Sequence, residues 1–204
     1  MNALVVCNGA GPPQSLLEKY HRWADVVLAA DGGANILNER NLAFDVVIGD
    51  MDSYRPIDEE PYDVIHDPDQ YANDLEKALS KAKSEKATHV RVLGATGLRL
   101  DHTLKNLSVL KQFNHQFEQL VFLDDHVRIM LLPNSFSKDI PTGTTVSLFP
   151  LSGKVTGITT HGLKYPLKNE DLENGVRDGT SNTVVKNPIR IEHDKGDLLL
   201  FIAN

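Results

Sequence analysis

A single cysteine, Cys7, occurs among the 204 residues. No disulfide can form within the chain, and a reducing compartment such as the cytoplasm is expected. Positive charge is also short: 21 Lys and Arg against 28 Asp and Glu leave a net charge of −7. That balance argues against a surface built for nucleic acid or for an anionic membrane. No segment approaches the roughly 20 successive apolar residues that cross a bilayer as a helix. The chain opens on an apolar strand, Ala3-Leu4-Val5-Val6-Cys7, without a basic stretch, a long apolar run and a cleavage site, so no export signal is expected. There is no internal repeat and no low-complexity tract. The Gly-x-x-x-x-Gly-Lys-Ser/Thr loop is missing, which excludes a P-loop kinase. Gly9 and Gly11 do follow the first strand, but Gln14 stands where a third glycine would complete a dinucleotide fingerprint; a strand-to-helix turn is the better reading.

What is present is ordinary for a globular chain, with 41% hydrophobic and 24% charged residues and length for one large core or two small ones. Strand-like runs at 3–7, 26–30, 46–49, 64–65, 89–93 and 120–123 are interspersed with helical patterns at 16–23 and 102–113. Residues 128–132 form one more strand-like run. Beyond Pro133-Asn134-Ser135 helical periodicity disappears. Short runs at 144–149, 154–159, 183–186, 189–193 and 198–202 follow, separated by turn residues, the pattern of a small antiparallel sandwich or barrel. The chain is therefore expected to hold an α/β domain with a mainly parallel sheet over residues 1–133. A small all-β, sandwich-like domain over residues 140–204 completes it.

Aspartates recur where strands end. Val46-Val47-Ile48-Gly49-Asp50-Met51-Asp52-Ser53 places two carboxylates one residue apart after a β-branched run. In an extended segment they share a face, and two such charges are costly together unless a proton or a hard cation such as Mg²⁺ lies between them. A polar turn would account for the pair taken alone. Asp31-Gly32-Gly33 ends the strand before it, with side-chain-free backbone that can approach a phosphate. Asn73 and Glu76 have the spacing of a reciprocal helix cap, which leaves Asp74 and Lys77 as either a surface ion pair or metal and phosphate contacts. Gly94-Ala95-Thr96-Gly97-Leu98-Arg99-Leu100-Asp101-His102 adds two glycines and an arginine fork suited to phosphate; Asp101 could cap the following helix. Open α/β sheets bind ligands beyond the carboxyl ends of their strands, where Asp31, Asp50, Asp52, Asp74 and Asp101 all fall. Residues alone thus reach a Mg²⁺-dependent phosphoryl or pyrophosphoryl transferase. Two alternatives stay open: a haloacid-dehalogenase-type phosphatase with Asp50 as nucleophile and Asp52 as acid, and a non-catalytic ligand-sensing module on an α/β scaffold.

Six motifs in order carry a more specific likeness: Ala30-Asp31-Gly32-Gly33-Ala34-Asn35; Gly49-Asp50-Met51-Asp52-Ser53; Asp69-Gln70 with Asp74-x-x-Lys77-Ala78; Gly94-x-x-Gly97-x-Arg99-x-Asp101-His102; Gly162-Leu163-Lys164-Tyr165-Pro166-Leu167; and Gly179-Thr180-Ser181-Asn182. Over nearly its whole length the chain resembles the thiamin pyrophosphokinases. The resemblance implies transfer of pyrophosphate from ATP to the hydroxyl of thiamin, giving thiamin diphosphate and AMP, with Mg²⁺ as cofactor. It also implies a homodimer whose active site is shared between subunits. By position, Asp50, Asp52 and Asp74 would hold the metal, and Asp31 and Asp101 would line the reacting oxygens, with Asp101 as the favoured base and His102 its rival. Gln70, Asn73, Lys77 and Arg99 would meet ATP; Tyr165, Ser181 and Asn182 would meet thiamin. The family usually has Thr at the place of Asn73 and often Trp at that of Tyr165, so a hydroxyl contact and part of a ring face are in question here.

Overall fold

The computed structural model describes residues 1–58 and 61–204. They form two compact units, Met1–Asp125 and His126–Asn204.

In the first unit the strands are β1 (Asn2–Val6), β2 (Val26–Ala30), β3 (Val46–Gly49), β4 (Asp63–His66), β5 (His89–Leu93) and β6 (Gln119–Leu123). The helices are α1 (Gln14–Trp23), α2 (Gly33–Glu39), α3 (Asp74–Ser84) and α4 (Leu100–Asn114). All adjacent strands pair in parallel, in the order β6-β5-β1-β2-β3-β4. β2 and β3 are buried at every residue, as parallel strands covered on both faces require. Edge strand β4 is largely exposed. α3 begins in a complete capping box: Asn73 Oδ1 accepts the Glu76 N–H at 3.0 Å, and Glu76 Oε2 accepts the Asn73 N–H at 2.8 Å. The helix buries Leu75, Ala78, Leu79 and Ala82 and packs on β2 and β3. Truncating fully buried Leu79 to alanine should cost about 2–5 kcal/mol. The winding reverses between β1 and β5, the place where such sheets open a crevice.

Within the second unit the strands pair antiparallel in two sets of four. One, β12-β9-β14-β7, is made of Gly179–Thr183, Thr145–Pro150, Leu198–Ala203 and Val127–Leu131; the other, β11-β10-β13-β8, of Lys168–Glu173, Lys154–His161, Ile189–Glu192 and Ser135–Lys138. Strict alternation in β13, with Ile189 and Ile191 buried and Arg190 and Glu192 exposed, gives one sheet an apolar inner face. An α/β unit followed by an all-β unit is what the order of sequence patterns leads one to expect. Two strands escape that reading. β11 is Lys-Asn-Glu-Asp-Leu-Glu with only Leu172 buried, and β8 is Ser-Phe-Ser-Lys; both are strands because β10 and β13 supply partners. The run at 183–186 is likewise displaced: β12 ends at Thr183, and Val184 makes one isolated bridge to Leu163. Among the described residues no helix is long and apolar enough to cross a membrane.

Candidate active site

β2 and β3 both deliver an aspartate just beyond their carboxyl ends. Asp31 follows β2 with φ at 45° and is buried. Its Oδ2 accepts the Ser53 N–H at 3.2 Å and its Oδ1 the Tyr54 N–H at 3.1 Å. One strand-end carboxylate thus holds the turn that leaves the neighbouring strand. Asp50 follows β3, where Oδ2 accepts Gln70 Nε2 at 3.2 Å and Oδ1 accepts the Asp52 N–H at 3.2 Å. Asp74 opens α3, and its Oδ1 accepts the Asp50 N–H at 3.3 Å. Oxygens of Asp31, Asp50 and Asp74 all lie within 4.8 Å of one another. Gly49 makes this approach feasible: a Cβ there would sit 2.7 Å from Asp31 Cβ and 2.9 Å from Asp74 Oδ1.

Such crowding shows in the acidities. Burial, with the Asp31 charge next, pushes the Asp74 carboxyl above the usual range. Burial also raises Asp31, with the Asp52 charge adding to it. Asp50 goes the other way, because the Gln70 amide hydrogen-bonds its ionised form. The Lys77 ammonium is buried, donates to the Asp67 carbonyl at 2.7 Å and stands 3.5 Å from Asp74 Oδ1. An all-oxygen set with two reluctant ionisations and one buried cation beside it fits a hard divalent ion.

Asp52 stands on the same turn but outside that trio. Spacing alone suggested that Asp50 and Asp52 face one way along a continued strand; the strand instead stops at Gly49, and Met51 turns with φ at 65°. Asp52 is exposed and accepts Ser53 Oγ at 2.8 Å. Its charge remains close enough to raise Asp31.

These residues floor a cleft of about 620 Å³ whose far wall is the loop after β5. Gly9 donates to the Gly94 carbonyl and Ala10 to that of Thr96, each at 2.9 Å, tying together the loops that leave β1 and β5. Gly94 needs its positive φ of 70° there, and a Cβ on it would meet the Cys7 carbonyl at 2.3 Å. Arg99 and His102 line the cleft, whereas Asp101 does not. Arg99 grips Asp101 through Nη2 at 2.6 Å and Nε at 3.2 Å, which lowers the Asp101 carboxyl to about 2. As it stands, Asp101 is a weak proton acceptor. Asn73, Gln70 and Lys77 all line the cleft.

Sequence reasoning passed over Asn106, whose side chain accepts Asn73 Nδ2 at 3.0 Å and donates to the Ala95 carbonyl at 2.8 Å. An asparagine inside a helix, where it is a poor former, was the available signal.

In the second unit Tyr165 is 61% exposed. Asn182 is buried and its amide is engaged in the turn: Oδ1 accepts the Tyr165 N–H at 3.0 Å, and Nδ2 donates to the Tyr165 carbonyl at 2.7 Å. Ser181 is exposed with φ at 57°, its N–H bound to Ser147 Oγ at 3.0 Å. Tyr165 and Ser181 are thus presented outward, while Asn182 shapes the turn that presents Tyr165.

A parallel α/β unit with carboxylates, a buried lysine and glycine turns gathered at its strand ends is of the class that takes a metal-bound phosphate. The chain belongs to the thiamin pyrophosphokinase family. Residues 17–122 match the family's catalytic domain and residues 134–198 its vitamin B1 binding domain. It is 34% identical to thiamine pyrophosphokinase 2 of Arabidopsis thaliana, covering 98% of this chain and 85% of that protein. With thiamine pyrophosphokinase 1 of Oryza sativa subsp. japonica it is again 34% identical, over 78% of this chain and 66% of that one. Among solved structures, thiamin pyrophosphokinase from Candida albicans shares the fold with a TM-score of 0.86 at 20% identity, covering 99% of this chain and 89% of that one.

Proposed function

We propose that this chain transfers the terminal pyrophosphoryl group of ATP to the hydroxyl of thiamin, forming thiamin diphosphate and AMP. The carboxylates that Gly49 lets converge at the strand ends are the observation that carries this reading. Asp50 and Asp74 of the converging trio, joined by Asp52 from the turn after β3, would hold Mg²⁺, which when bound supplies neutralisation of charge on the phosphate oxygens. Asp31, with both oxygens engaged by Ser53 and Tyr54, keeps the turn bearing Asp50 and Asp52 in place. Lys77 and Arg99 offset further phosphate charge, Gln70 and Asn73 line the nucleotide, and Tyr165 and Ser181 meet the thiamin rings.

Asp101 takes the alcohol proton by turning into the cleft, which it does not line as it stands; His102, which does line it, is the alternative base. Its fork to Arg99 explains its low basicity, and a bound triphosphate competes for that fork. Once Arg99 turns to phosphate, Asp101 is released from the fork and regains ordinary basicity. The thiamin oxygen then bonds to the β phosphorus while the bond from the β phosphorus to the α,β-bridging oxygen breaks, and AMP leaves with that oxygen. The family likeness supports a homodimer in which each site takes residues from both copies, and the single buried Cys7 accords with a cytoplasmic setting.

Incubating the chain with ATP and Mg²⁺, with and without thiamin, tests the reading. AMP should appear together with thiamin diphosphate, and only when thiamin is present. ADP as the product, or a phosphoenzyme on Asp50, would overturn it.

A further inference from the structure

The side chains of Asn73 and Asn106 form a polar relay whose direction is set at both ends. The Glu76 N–H can only donate, so Asn73 must present its oxygen there and its amide nitrogen to Asn106. The Ala95 carbonyl can only accept, so Asn106 must present its nitrogen to Ala95 and its oxygen to Asn73. The two requirements agree. A parallel tie runs one residue away, where Lys105 Nζ stands 2.9 Å from Glu76 Oε2.

The joined parts are the start of α3 and the glycine loop after β5. Asp74 follows Asn73 directly and Lys77 lies one turn on, while Ala95 lies between Gly94 and Gly97. α4 therefore holds the carboxylate side of the cleft at a set distance from the loop that faces it. A glycine at position 73 would still serve as the cap residue of α3, but it offers Asn106 no side-chain donor.

We infer that Asn106, acting through Asn73 and Ala95, is a positioning residue that sets the width of the nucleotide cleft. This rests on the reading of that cleft as the ATP site. A misplacement of about 1 Å can cost on the order of 10²-fold in rate, so a relay of this kind acts on turnover and nucleotide affinity more than on folding.

The test compares Asn106→Ala, Asn73→Gly and the double variant with the parent. Steady-state kinetics, thermal melting and calorimetric binding of Mg²⁺ with a non-hydrolysable ATP analogue are measured on each. Each single variant should lose about 10-fold in kcat/KM for ATP and bind the analogue correspondingly less tightly, with KM for thiamin unchanged. The double variant should be no worse than the poorer single, since both break one relay. Asn73→Gly still serves as a helix cap and so should remain folded even if Asn106→Ala does not. Lower melting temperatures with parental kinetics and analogue affinity, or fully additive losses, would overturn the inference. A parent that binds the analogue but makes no AMP with thiamin would refute the proposed reaction and leave the affinities to decide the relay. A parent that does not bind the analogue would overturn both.

Discussion

Each carboxylate near the cleft answers to a different neighbour, and the neighbours set its chemistry. Asp74 is raised by burial and by the Asp31 charge, so its ionisation costs folding stability. The contribution is fully present below the ordinary aspartate pKa of about 3.9 and is lost as pH rises through the higher folded value. Asn at that position does not titrate. The melting temperature of metal-free Asp74→Asn minus that of the parent should therefore increase as pH rises through this range; a constant difference would mean that Asp74 is not raised. Asp31 and Asp52 separate by role. If Asp52 holds the metal and Asp31 braces the turn, Asp52→Asn should lower turnover by on the order of 10²–10³-fold with melting unchanged. Asp31→Asn should lower the melting temperature as well, because an amide N–H would face the Ser53 or Tyr54 N–H. Melting and kinetics on both variants separate the two roles, and an Asp52→Asn enzyme with parental turnover at saturating Mg²⁺ would remove Asp52 from the metal set.

At the scale of elements, the turn after β3 and the turn before β11 each depend on one residue. Gly49→Ala drives a methyl group between Asp31 and Asp74. Overpacking of this kind costs about 1–3 kcal/mol, and the separated carboxylates should bind Mg²⁺ more weakly, so half-maximal activity should need more metal. An unchanged Mg²⁺ requirement would show that the close approach is incidental. In the second unit, Tyr165→Ala removes an exposed ring and should leave melting unchanged while weakening thiamin binding by about 1–2 kcal/mol. Asn182→Ala should lower melting and weaken thiamin binding together, because it frees the backbone of the turn and leaves partly buried groups unpaired at about 1–3 kcal/mol. Equal thiamin affinities across parent and variants would exclude the turn from recognition.

For the whole molecule, the proposed shared site predicts complementation. Asp50→Asn and Tyr165→Ala homodimers should each be impaired. Random exchange of equal amounts makes about half of the dimers mixed, each with one intact site, so roughly a quarter of parent activity should return. No recovery despite verified exchange would confine each site to one copy. How much of this was readable beforehand follows from the range of the interactions involved. Alternating periods, the Asn73 cap with Glu76 and the carboxylates at strand ends are local facts of order and spacing, and they determined the two-unit plan, the start of α3 and most of the residues at the cleft. Strands as polar as Lys168–Glu173 carry no such period and exist only through a partner. Likewise, Met51 breaking the alternation, Arg99 lowering Asp101, Asn182 turned inward and Asn106 bridging to Ala95 were decided by tertiary structure alone. Each depends on atoms brought together by the packing of separate elements or by the course of a loop, and spacing along a chain says nothing about either.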